Sequence, residues 1–199
     1  MMCKCYIHGM DENDFFKAAW NNDVATLRRA LAEGADPNRQ HPRAGTLPLQ
    51  LACQANAIEA IQALLEAGAK ADITFTRASR VDEGRVFANH TPLMYAESVP
   101  AAKLLIDAGA RLESADGLGW TALVKAANAG NTELVRYLID RGANLDVRPL
   151  LEGRPVTLLE FLDSSIDFLT GKMGVPQDNA RMRELGEVRA LVSRCAHDA

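Results

Sequence analysis

The chain has 199 residues, 48% of them hydrophobic and 24% charged, and a net charge of -4. That balance fits one generous domain or a short repeat array and argues against disorder; it also lacks the basic excess on which phosphate-neutralising binders depend, so nucleic acid is not an expected partner. Four cysteines at irregular spacing (Cys3, Cys5, Cys53, Cys195) exclude a disulfide framework and point to a reducing, cytoplasmic setting, and neither a signal-peptide core nor an apolar run of about 18 residues occurs.

Taken in chain order, the predicted elements repeat. Apolar helical runs end on Ala-Leu-Ala-Glu-Gly34, Leu-Leu-Glu-Ala-Gly68, Leu-Ile-Asp-Ala-Gly109 and Leu-Ile-Asp-Arg-Gly142, and alanine follows each glycine. These glycines lie 34, 41 and 33 residues apart, so the repeating unit is near 33 residues. A glycine just past a helix is what a chain needs to leave through a left-handed residue. Before Gly142 the segment 119–139 holds two helical patterns meeting at Gly130, with Thr121 and Asn131 placed as caps. At the corresponding positions stand Asn13 and Asp23, then Leu47 and Ala57, then Thr91 and Ser98. The second copy is thus expected to be weakly capped.

The inner halves share a second motif: Pro48-Leu-Gln-Leu-Ala-Cys53, Thr91-Pro-Leu-Met-Tyr-Ala96 and Thr121-Ala-Leu-Val-Lys-Ala-Ala127, with diverged copies at Asn13–Ala19 and Thr157–Leu162. With the Gly-Ala pairs, this resembles the ankyrin repeat family, in the manner of its short stand-alone bacterial members. The family's histidine is replaced by Phe16, Gln50, Met94, Val124 and Glu160. The resemblance implies an all-α repeat solenoid of about five helix-turn-helix units with β-hairpin-like turns. Expected boundaries are an extension over 1–12 and one repeat domain over 13–199. Within it lie a cap repeat (13–44), repeat 2 (45–72), an extended hairpin insert (73–90), a shortened repeat 3 (91–116), repeat 4 (117–147) and a C-terminal cap repeat with a linker (153–199).

Two irregularities stand out. From Gly68 to Thr91 takes 23 residues, against 12 from Gly109 to Thr121. The extra segment alternates apolar and polar residues around Asp82-Glu83-Gly84, which predicts two strands and a turn, a projecting finger bearing Arg77, Arg80, Arg85 and Phe87. Thr91 to Gly109 is three residues shorter than Thr121 to Gly142, so the third inner helix is expected to end near Glu97. Pro92 and Pro100 then fall in first turns, where a missing donor does no harm. After Gly171, Gly174 and Pro176, apolar residues at helical spacing predict a closing helix over 181–195.

No phosphate loop, His-Glu-x-x-His or Gly-x-Ser-x-Gly motif is present, so no enzymatic activity and no cofactor are expected. Cys3, Cys5 and His8 do not make a zinc set, and a metal-binding or small-molecule reading is the least favoured. His41 and His90 fall in predicted turns and are expected to be solvated. The resemblance implies a monomeric protein-binding module that uses a concave face of inner helices and turns, with no role for a membrane; an inhibitor or immunity protein for a cognate enzyme or toxin is the alternative. Trp20, Tyr95, Glu97, Trp120, Lys125 and Asn128, together with the four finger residues, are the candidate contacts, because exposed aromatics and arginines are the side chains that most often anchor interfaces.

Overall fold

The computed structural model describes residues 12–42, 44–78, 86–176 and 179–197. They divide into two compact units, Met1–Ala96 with Pro100–Ala110, and Glu97–Val99 with Arg111–Ala199. The first contains α1 (Glu12–Trp20), α2 (Val24–Ala32), α3 (Pro48–Gln54), α4 (Ile58–Glu66), strands β1 (Phe75–Ala78) and β2 (Val86–His90), a 3-10 turn (Pro92–Tyr95) and all but the first residue of α5 (Val99–Asp107). In this unit α1, α3 and the 3-10 turn stack as one layer, and α2 against α4 as a second.

The second unit contains α6 (Ala122–Asn128), α7 (Thr132–Asp140), a short hairpin of β3 (Leu150–Leu151) and β4 (Arg154–Pro155), α8 (Leu158–Asp167) and α9 (Ala180–His197). Here α6 packs on α8, and α7 on α9. Between the layers of each unit lie the apolar positions that the repeat supplies. Leu27, Ile61, Leu64 and Leu105 are buried in the first, and Leu134, Leu138, Leu162 and Leu185 in the second. Burying each such leucine is worth about 1.5–3 kcal/mol. Ala19, Ala52 and Ala127 are fully buried, their small side chains letting helices approach.

The ends of the outer helices are alike. Gly34, Gly68, Gly109 and Gly142 all have φ between 89° and 95°. In each case the alanine N–H after the glycine bonds the carbonyl five residues back (Ala35 to Ala30, Ala69 to Leu64, Ala110 to Leu105, Ala143 to Leu138), and the glycine N–H bonds the carbonyl three back. This double closure satisfies carbonyls that a helix end otherwise leaves open.

Helix starts are more varied. Asp23, Thr121 and Asn131 accept from the backbone N–H three residues on, and Thr157 and Glu160 close a reciprocal capping box on α8. Leu47 and Ala57 supply no side-chain cap. Asn13 lies inside α1 and not before it, because the helix begins one residue earlier, at Glu12.

Four further expectations change. The third inner element is a single 3-10 turn ending at Tyr95, two residues short of Glu97, with Ala96 outside it and half-buried. The expected linker is largely helical: α8 runs into a π-helical turn, Phe168–Lys172, in which the Met173 N–H reaches the Phe168 carbonyl. The hairpin β3–β4 was not foreseen; its two-residue turn, Glu152-Gly153, has φ of 50° and 82°, the positive pair that tight hairpins favour. His90 is buried, with Nδ1 3.1 Å from the Tyr95 hydroxyl, and His41 is half-buried, edge-on to Phe16. His41 leaves solvent because its loop folds back on α1, and His90 because the end of β2 meets the 3-10 turn.

Candidate functional site

The predicted contact residues fall into three groups. Trp20 ends α1 with 48% of its surface exposed, because at helical spacing it falls on the flank of the face centred on Phe15, Ala18 and Ala19. Lys17, one turn earlier, pairs with Asp14 at 3.3 Å on the solvent side. Among the predicted aromatics whose side chains are described, Trp20 is the most exposed, Tyr95 and Trp120 being half-buried.

The insert forms the expected antiparallel pair. Arg77 is opposite Phe87 and Ala78 opposite Val86, with an irregularity in register between Phe75 and Arg77. Arg80 and Arg85 lie outside the described residues. At the root of the hairpin the His90–Tyr95 bond ties the end of β2 to the 3-10 turn, so Tyr95 is half-buried and holds the insert.

In the second unit the predicted residues carry structure. Asp116 is the centre: its buried carboxylate accepts from the N–H groups of Leu118 and Trp120 at 2.9 and 3.0 Å, and Lys125 Nζ sits 3.4 Å from its other oxygen. The Lys125 ammonium also lies 5.3 Å from the centre of the Trp120 ring, and that ring meets Phe161 edge-on at 5.1 Å. Trp120 is therefore half-buried, packed on Phe161, and Lys125 is the counter-ion of a buried carboxylate. Asn128 offers its backbone carbonyl, with that of Ala129, to the Arg181 guanidinium, which closes the end of α6. Glu97 is exposed, and its carbonyl accepts from Asn131 Nδ2 at 2.8 Å.

Sequence reading missed the side chains that join successive copies. Asn22, at φ 58° in the turn between α1 and α2, accepts from the Ala60 N–H at 2.9 Å and donates to Glu59 at 2.6 Å. It thereby caps α4, whose own cap position is Ala57. The bond from Asn22 holds the Glu59 carboxyl below its ordinary range. Four residues past Gly34, Asn38 accepts from the Lys70 N–H at 2.8 Å and donates to the Gly68 carbonyl at 3.1 Å. Four past Gly109, Glu113 accepts from the Asn144 N–H at 2.9 Å. The signal was present as a polar residue at a fixed offset from each glycine.

No group of three or more histidine, cysteine or acidic side chains could hold a metal ion among the described residues. Burial pushes the Cys53 thiol far above its ordinary range, leaving it an inert core residue, while Cys195 is half-buried. No helix among the described residues is long and apolar enough to cross a membrane.

The family model for ankyrin repeats matches residues 15–116 and 97–155. The chain belongs to the ankyrin repeat family. It is similar to an ankyrin repeat protein of Rickettsia bellii, 32% identical over 63% of this chain and 36% of that protein. It is also similar to mouse ankyrin repeat, SAM and basic leucine zipper domain-containing protein 1, 48% identical over 23% of this chain and 10% of that protein. Mouse ankyrin repeat and SAM domain-containing protein 6 is 40% identical over 29% of this chain and 7% of its own length. The chain thus spans about a third or less of these relatives. Ankyrin repeats are helical solenoid units whose general role is to bind other proteins, and nothing in the chain shows catalytic activity.

Proposed function

We propose that this chain is a non-enzymatic protein-binding module whose first unit supplies the principal contacts. The observation that supports this most directly is Trp20, about half exposed on an inner helix. Tryptophan is among the side-chain types whose truncation costs interfaces most. The β1–β2 insert, with Arg77 and Phe87 as register partners, is the second contribution, and Arg80 and Arg85 belong to the same proposal.

The test is affinity capture from the native lysate with wild type, Trp20→Ala and an Arg77, Arg80, Arg85 triple alanine variant. Trp20→Ala leaves the thermal transition in place and recovers less of the specific partner. The same partner at the same yield from all three proteins removes this surface from the reading.

A further inference from the structure

The inner copies share a leucine two residues after the cap position, and its burial differs along the chain. Leu49, Leu93 and Leu123 are 1–2% exposed, and Phe15, the equivalent in the first copy, is 4% exposed. In each of these copies the outer helix is followed by a Gly-Ala turn. Leu159 holds the same place after Thr157 but is only half-buried, in a unit whose outer helix, α9, runs to His197. It lines a cleft of about 510 Å³, with Ala143, Leu145, Leu158, Val192 and Ala196 as the other apolar walls.

The polar side of the cleft repeats an internal lock. Asn38 and Glu113, each four residues past a helix-ending glycine, hold the backbone N–H two residues past the glycine of the next copy. Asp146 is four past Gly142, and its carboxylate, 74% exposed, pairs with Arg148 among the described residues and takes no such N–H. A carboxylate that accepts a backbone N–H makes a charge-assisted bond stronger than a neutral one.

We propose that this cleft is a docking site for an extended segment of a partner protein with the chemistry of the turn that fills the equivalent place internally. That chemistry is glycine-alanine, then a residue offering its N–H to Asp146, then a small apolar side chain over Leu159. In the first unit the occupant of this kind is Gly68-Ala69-Lys70-Ala71, with Ala69 and Ala71 buried. The site shares no residue with Trp20 or the β1–β2 insert, so it goes beyond the function proposed above.

The test is an NMR titration of the ¹⁵N-labelled full chain with a synthetic decapeptide of the sequence 64–73, Leu-Leu-Glu-Ala-Gly-Ala-Lys-Ala-Asp-Ile. Saturable shifts are expected at 143–148, 158–159 and 192–196. Asp146→Ala, at an exposed position, weakens binding about tenfold, and Leu159→Asp, checked for fold by circular dichroism, abolishes saturation. Trp20→Ala changes nothing here, which separates this site from the other surface. Absence of saturation at millimolar peptide, equal response to a scrambled peptide, or indifference to both cleft variants overturns the proposal. So does a concentration-dependent dimer of the chain that Leu159→Asp dissolves, which would assign the cleft to a second copy.

Discussion

The turns between inner and outer helices compare usefully at the two ends of the chain. At Asn22 and at Gly130 the backbone takes the same left-handed conformation, φ 58° and 68°. At the first, an asparagine reaches out and caps the helix of the next copy. At the second there is no side chain, and α9 comes in so closely that an added Cβ would lie 2.9 Å from Glu184 Cβ and 3.0 Å from Arg181 Nη1. One junction is built by adding a side chain and the other by removing one. A turn of fixed backbone geometry therefore leaves the choice of coupling to its neighbours: a copy with a poor cap is served by asparagine, and a closing helix is admitted by glycine.

Gly130→Ala gives the largest expected effect. A left-handed residue with a Cβ costs about 1–2 kcal/mol, and pressing that Cβ against Glu184 adds about 1–3 kcal/mol, so urea denaturation should show a loss of about 3 kcal/mol. Gly130→Asn sharpens the point, because asparagine tolerates the conformation. If backbone strain dominates, the asparagine variant regains much of the loss; if crowding by α9 dominates, it does not.

Lys125→Met tests how the loop before α6 is held. Removing the ammonium leaves a carboxylate with only 2% of its side chain exposed and two backbone bonds. The expected loss is about 1–3 kcal/mol, read as a lower thermal midpoint. A variant with unchanged stability but weaker partner recovery would return Lys125 to the binding surface.

Asn22→Gly keeps the left-handed turn and removes the cap on α4 together with the bond to Glu59, at a cost of about 1 kcal/mol. Adding Ala57→Ser gives the helix a cap of its own and should restore most of that. If the double variant is no better than the single one, the bond to Ala60 is not what Asn22 contributes.

The glycine spacing made the repeat legible, since only a helix-ending left-handed residue asks for glycine at so regular an interval, and the four closures after Gly34, Gly68, Gly109 and Gly142 have one geometry. The strand pair in the insert was legible from its alternation. Two kinds of feature were not. Trp120 and Lys125 read as surface residues because their partners, Phe161 and Asp116, come from another copy or a loop, and a motif says nothing of either. The inner turn at Pro92–Tyr95 is shorter than the missing residues implied, because those residues are lost from a helix too brief to keep an α-helical turn, and the remainder closes with 3-10 bonds.

The smallest effect follows the bond from Asn22 to Glu59 into pH. That bond lowers the Glu59 pKa from its ordinary value near 4.5, so its contribution to stability is present above 4.5 and lost as pH falls through the folded value. The carboxyls of Asp23 and Glu160 are also lowered, chiefly by Thr26 and by the Thr157 backbone, but both bonds persist in Asn22→Gly and cancel in a comparison. The difference in thermal midpoint between wild type and Asn22→Gly should therefore narrow on acidification from about pH 6 to about pH 3 without vanishing, because the Ala60 N–H still needs its acceptor. A difference that stays constant would show that only the uncharged bond to Ala60 couples the first two copies.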